Sequence, residues 1–319
     1  MLDSRFPVRR GPYPGESGLG FCLRSASENV SSLSQIRRLL GVGENEQFKQ
    51  SHAARLSRLT GASEAWLIYA LPERAGKGAG RRYRCYGHAF RTPTALRARN
   101  PQVCPLCIHH HGYAMAVWDL GMSTTCLEHG ICLVDQCPTC HRLLRWDRPS
   151  LLWGHCAHAI SANFIGAEAP GVTRSFQALI ETSFKKESTN SLLEEFQLPR
   201  WLDGLSPSGW TDLMLAFGTI EERFQVPADG TYTRLHRSES ALSIVTRGFE
   251  RLMTWARTCA SPSTITDLIA FAPLQGLLLE PAGDADLQIG QRLCEAVYGV
   301  DISQKLRTRN PALAQMSLF

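Results

Sequence analysis

The sequence contains no long apolar run. Its most apolar late stretch, IAFAPLQGLLL, is short and broken by Pro273 and Gln275, whereas a membrane span needs about 20 apolar residues in succession. The first twenty residues, MLDSRFPVRRGPYPGESGLG, have no apolar segment of the signal-peptide kind. These two absences predict a cytoplasmic protein with no membrane partner. There is also no internal repeat, no low-complexity tract, no His-Glu-x-x-His element and no clustered acidic motif suited to two-metal strand transfer. A zinc hydrolase or nuclease is therefore the weakest of the available readings, and no catalytic residue is assigned. Residues 81–100 lack acids altogether.

That acid-free run, RRYRCYGHAFRTPTALRARN, holds Arg81, Arg82, Arg84, Arg91, Arg97 and Arg99 with Tyr83, Tyr86 and Phe90 interleaved. The pattern suits a phosphate backbone and also suits a solvated linker. Overall charge decides little, because 34 basic residues face 29 acidic ones. With 44% hydrophobic residues, a chain of 319 residues can form two or three cores.

Composition divides the chain into residues 1–80, 81–165 and 166–319. The fold class expected is mainly α. In the first region, helical segments are predicted at Glu16–Asn29, at Leu33–Leu40 with Gly41 ending it, and at about Glu46–Leu59 with Gly61 ending it. Ser63 can cap a fourth segment through Trp66 and Tyr69. On the third segment His52, Arg55 and Arg58 recur every three residues. Short helices, a glycine turn and a basic third helix fit an N-terminal helix-turn-helix that contacts DNA, and equally fit a small bundle. In the last region the best-marked helix is Glu239–Thr258, with Leu242, Val245, Phe249, Leu252 and Ala256 as a core-facing stripe. Arg247, Arg251 and Arg257 lie off that stripe and are candidates either for a partner-facing surface or for a solvated face.

The middle region holds most of the chemistry. Eleven cysteines, an odd number, in a reducing compartment point to metal rather than disulfides. Cys104-Pro-Leu-Cys107 presents two sulfurs to one ion, and Cys126 with His129 follows after eighteen residues, giving the Cys3His donor set of a closed structural zinc site. Cys137 and Cys140 begin a second set. Its partners are sought in WGHCAHAI, where Cys156 is joined by His155 or His158, with His158 preferred. Two Zn²⁺ ions per chain are expected, bound in tandem zinc fingers. The run His109-His110-His111 is expected in an exposed loop, Cys85-x2-His88 lacks a second pair, and Cys22, Cys259 and Cys294 are expected as core thiols.

The segments PYPGESGLGFCLRSASENV, CPLC, Trp118, CLEHG and CPTC, and more weakly GFERLMTWA, resemble the TniQ family of bacterial transposon target-selection proteins. The resemblance spans most of the chain. It implies an N-terminal helix-turn-helix, a zinc-binding middle and a helical C-terminal domain. It also implies a non-catalytic adaptor of DNA transposition, standing between a target and an AAA-type ATPase that summons the transposase. The target is named either by DNA sequence or by an RNA-guided CRISPR effector complex, and a homodimer is compatible with the helix-turn-helix reading. Two departures stand out: Asp119 follows Trp118 where relatives carry a basic residue, and Cys156-Ala157-His158 replaces a cysteine pair. The alternative is a zinc-stabilised helix-turn-helix transcription regulator.

Overall fold

Serine caps start three of the first four helices, and glycines follow two of them. The computed structural model describes residues 5–44, 46–76, 82–92, 95–160, 166–222, 228, 230–232, 234–258 and 266–298. These fall into two units, one from Met1–Pro170 with Leu235–Ala241 and one from Gly171–Arg234 with Leu242–Phe319.

In the first unit, α1 spans Gly18–Glu28, and the Ser17 hydroxyl accepts the Gly20 N–H at its start. Helix α2, Leu33–Leu39, opens with a capping box in which Ser32 and Gln35 satisfy each other's backbone N–H. Gly41 (φ 64°) and Gly61 (φ 78°) take left-handed conformations after α2 and α3, a position where a Cβ is strained. Helix α3, Ala53–Thr60, is shorter than the sequence predicts, because residues 50–52 form a 3-10 turn. Before that turn, the Lys49 N–H donates to His52 Nδ1 at 3.1 Å, a side-chain cap that starts the helix late. Only Gly61, Ala62 and Ser63 separate α3 from α4, Glu64–Ala70.

The chain next forms an antiparallel sheet of β1 (Glu73–Ala75), β2 (Arg82–Cys85) and β3 (His88–Phe90) in that order. Helix α5, Pro105–His111, and a hairpin of β4 (Thr125–Cys126) and β5 (Ile131–Cys132) follow. Arg97 is fully buried and donates to Asp135 (3.3 Å) and to the His236 carbonyl (2.9 Å). Asp135 also accepts the Ser238 N–H at 2.8 Å, which fastens residues 235–241 to this unit. Arg97 is thus withdrawn from the predicted phosphate-following run by an acid 38 residues away.

The second unit is helical: α6 (Gly171–Phe184), α7 (Asn190–Glu195), α8 (Pro207–Gly218), the body of α9 (Ser238–Thr258), α10 (Phe271–Leu279) and α11 (Asp284–Tyr298). Every residue of α8 is buried, so it is the central helix. A Cβ on Gly218 would stand 2.1 Å from the Ile244 carbonyl oxygen, and one on Gly248 3.0 Å from that of Met214; these two glycines let α8 and α9 touch at backbone distance. Phe249 of the predicted stripe is fully buried against Phe176 and Phe196.

Arg247 and Arg251 do not form the free surface expected of them. Arg251 Nη1 donates to the Phe217 carbonyl (3.0 Å) and Arg247 Nε to that of Gly218 (2.9 Å). Both guanidinium groups satisfy carbonyls at the C-terminus of α8, where cations also complement the helix dipole.

Candidate metal centres

Cys104 is the N-cap of α5, with Pro105 at the first helical position, and this start aims Cys104 and Cys107 to one side. The other half comes from the β4–β5 hairpin. Cys126 ends β4, the Gly130 N–H returns to the Cys126 carbonyl at 2.9 Å, and Gly130 takes φ 64° to close the turn. Cys107 Sγ lies 3.5 Å from Cys126 Sγ, and His129 Nδ1 lies 3.6, 3.1 and 3.7 Å from the sulfurs of Cys104, Cys107 and Cys126. Metal bonds of ~2.0–2.3 Å in a tetrahedron give donor separations of about 3.3–3.8 Å, so the spacing suits one ion. The three sulfurs are buried and His129 is half-buried. Without a cation such crowding forces the thiols to share protons. Hydrogen bonds from Cys107 and Cys126 pull Cys104 down to about 3, while Cys107, bonded to both of the other thiols, is pushed far up.

Cys137, Cys140, Cys156 and His158 form the second group, again with one donor atom each within 4.8 Å of the others. His141 and Ala157 adopt left-handed backbones (φ 56° and 58°) beside Cys140 and Cys156. The His141 N–H bonds the Cys137 carbonyl (2.8 Å), and the Gly154 N–H bonds that of His158 (2.9 Å), so each half is a tight knuckle. His158 Nδ1 is 3.4 Å from Cys137 Sγ, whereas His155 turns away to Asp147 at 2.8 Å. A Cβ on Gly154 would meet Cys156 Sγ at 3.1 Å. Burial opposes ionisation of Cys137, yet backbone N–H groups of Cys140 and Thr139 outweigh it and hold the thiol at about 6. This group is more open, since only Cys137 is fully buried.

The triple histidine is the last turn of α5, not a loop, because the Cys104 cap and Pro105 start a helix there. His110 Nδ1 stands 3.3 Å from His129 Nε2, and His111 Nε2 stands 2.8 Å from Glu128. Glu128 Oε2 in turn lies 3.5 Å from Cys107 Sγ. These outer partners fix the ring and thiol orientations. His111 is four residues after Cys107, and that helical spacing was their only sequence signal. Cys85 is buried against the Ala70 carbonyl, Cys22 and Cys294 are buried, and Cys259 lies outside the described residues.

The residues expected at DNA divide by exposure. His52 is buried and its Nδ1 is occupied by Lys49; Arg55 is exposed, yet its guanidinium donates to the Leu40 carbonyl. Arg58 and Arg84 are exposed and Arg82 is half-buried, while Arg81 lies outside the described residues.

Glu16 and Ser17 of the PYPGES stretch are buried scaffolding. Glu16 accepts from Arg24 Nε and Nη2 at 2.8 Å each, and the Gly15 and Ser17 backbones pair with Ala116 and Ala114 at 2.7 Å. Asp119 is likewise buried: it accepts from the Ser17 hydroxyl at 2.7 Å and from the Tyr86 hydroxyl, and so braces the start of α1 rather than reaching a phosphate. Burial pushes its carboxyl up to about 7, against the pull of those two donors. A folded-state pKa above the unfolded one contributes stability that is full below about pH 4 and lost as pH rises through about 7, at roughly 1.4 kcal/mol per unit. Asp119→Asn is therefore expected to gain on the unsubstituted protein by about 2–3 kcal/mol between pH 5 and 7, read from urea unfolding at each pH. Parallel stability curves would show that Asp119 is ionised throughout.

Residues 7–133 match the family model described as TniQ. The matched span includes the PYPGES scaffold, α1–α5 and the first donor group, and it ends before Cys137. No curated protein matches the chain.

Proposed function

We propose, for a chain that belongs to the TniQ family through residues 7–133, that it selects the target site of DNA transposition and performs no bond-making itself. Family membership carries the reading, since it implies a target-selection role in transposition. The donor chemistry supports the rest. Each group offers four protein donors, which suits Zn²⁺ as the bound ion and, once four are engaged, leaves no position to activate water or a 3′-hydroxyl. The partners proposed are target DNA, an AAA-type ATPase and a transposase, with an RNA-guided complex as one means of naming the site and a second copy of the chain as one assembly. In a reconstituted transposition reaction, omitting the protein is expected to abolish or scatter targeted insertion while donor-end cleavage continues. Targeted insertion at undiminished level without it, or DNA cleavage by the purified chain with Mg²⁺, would overturn this.

DNA contact is proposed as positioning rather than base reading. If α3 and α4 act as a helix-turn-helix, the second helix, EAWLIYA, brings no arginine, lysine, asparagine or glutamine to a groove, which disfavours the transcription-regulator alternative. Phosphate contacts fall instead to Arg58, Arg82 and Arg84, with His52 and Arg55 shaping the start and approach of α3. Replacing Arg58 and Arg84 together by alanine is expected to weaken binding to all sequences alike and to lower the salt slope by about one per lost contact. An unchanged slope would mean that neither touches phosphate.

A further inference from the structure

Within the first unit, a cleft of about 490 Å³ opens beside α2; three cations, Arg37, Arg99 and Arg145, and two acids, Glu44 and Asp147, line it together with apolar residues. None of the eight metal-donor residues lines it. Arg37 is the unusual member. It is only 8% exposed, its Nε is buried with no hydrogen-bond partner, its guanidinium stands 5.7 Å from the Phe48 ring, and the acid that acts on it is Asp147, with no ion pair between them. A buried cation that lacks a paired anion costs several kcal/mol, so its persistence beside a cleft calls for a counter-charge. Asp147 does not serve as one, because it is held by Arg145 at 2.7 Å and His155 at 2.8 Å. Desolvation accordingly lowers the Arg37 pKa, only partly offset by Asp147.

We propose that this cleft binds a nucleotide unit, its phosphate on Arg37 and Arg99 and its base against the apolar lining at the half-buried Leu143. The volume falls in the ordinary range for small-ligand sites, about 300–1,000 Å³, and exceeds what a lone phosphate fills. Arginine forks suit phosphate oxygens, and an apolar wall suits the face of a base. The wall adds acceptors: Gln47 gives its N–H to the Ala98 carbonyl (2.6 Å) and Asn100 gives its own to that of Leu144 (3.2 Å), which turns their side-chain oxygens to other donors such as an exocyclic amine. Among the described residues no strand of the sheet or hairpin lines the cleft. The nucleotide unit is either free or the phosphorylated end of a strand. The site goes beyond the transposition reading and does not depend on it.

The test is calorimetric titration of the metal-loaded full chain with adenosine 5′-monophosphate, adenosine, inorganic phosphate, a 5′-phosphorylated oligonucleotide and its unphosphorylated twin. Adenosine monophosphate is expected to bind with Kd below about 1 mM and at least about tenfold more tightly than adenosine or phosphate. Arg37→Met and Arg99→Ala should each weaken it about tenfold, and Arg174→Ala, an exposed change in the second unit, should not. Arg99 is exposed, so its variant reports even if Arg37→Met fails to fold. Phosphate-dependent binding of the oligonucleotide at the same site identifies a strand end, and its absence identifies a free nucleotide. Adenosine monophosphate binding no tighter than phosphate, or binding indifferent to Arg99→Ala, overturns the proposal.

Discussion

Cys104→Ser is expected to cost the protein one of two bound metal ions and to unfold its first unit, the largest effect of any single substitution considered. A structural zinc site contributes about 10–16 kcal/mol at neutral pH, while a whole domain is stable by only about 5–15 kcal/mol. Cys104 also caps α5, and the residues beside it, Val103 and Ile108, are buried in the same core as Trp118 and Leu120. Loss of the ion therefore spreads into the helices packed around it. Cys140→Ser should behave differently. Its group is half-exposed, built from two knuckles between residues 137 and 158, and its loss should melt that stretch locally while α1–α4 persist. Elemental analysis gives the stoichiometry, expected as two ions per chain and one in each variant; thermal unfolding by circular dichroism gives the cooperativity. A well-folded chain containing no metal would remove the basis for both statements.

Donor spacing was legible because it is local. Cys-x2-Cys and Cys-x2-His place their atoms within one turn, and the structure gathers those residues as two groups of four. The choice between His155 and His158 needed more, since it rests on Asp147 capturing His155 and on the left-handed Ala157. Helix ends announced by Gly41, Gly61 and Ser63 were readable for the same local reason. Which arginines remain free was not. Arg97 is claimed by Asp135 and His236, and Arg251 by the end of α8. Such partners lie tens of residues away, and a charge run in sequence carries no record of them. The family resemblance read from PYPGES and CPLC agrees with the match over residues 7–133, yet the chemistry of the first motif turns out to be internal.

Glu16→Ala should expose that internal role, at a cost of about 3–5 kcal/mol to the first unit. The Glu16 side chain has no exposure and the Arg24 side chain 5%, and their two 2.8 Å bonds form a bidentate pair. Arg24 is held further by Glu28 (3.2 Å), the Gly11 carbonyl (3.0 Å) and the ring of Tyr13, 4.6 Å below it. Removing the carboxylate leaves a buried guanidinium without its main anion, which costs more than deleting both charges. Glu16→Gln with Arg24→Met should therefore recover part of the loss, and a double-mutant cycle isolates the pair. The damage should also travel, because residues 15–17 are bonded to residues 114–116, directly after α5. Hydrogen exchange is expected to accelerate in α1 and at Ala114 and Ala116, with little change in α8. A loss below about 1 kcal/mol, or exchange unaltered at residues 114–116, would show that the motif's glutamate is not what fastens the N-terminal segment to the metal-binding region.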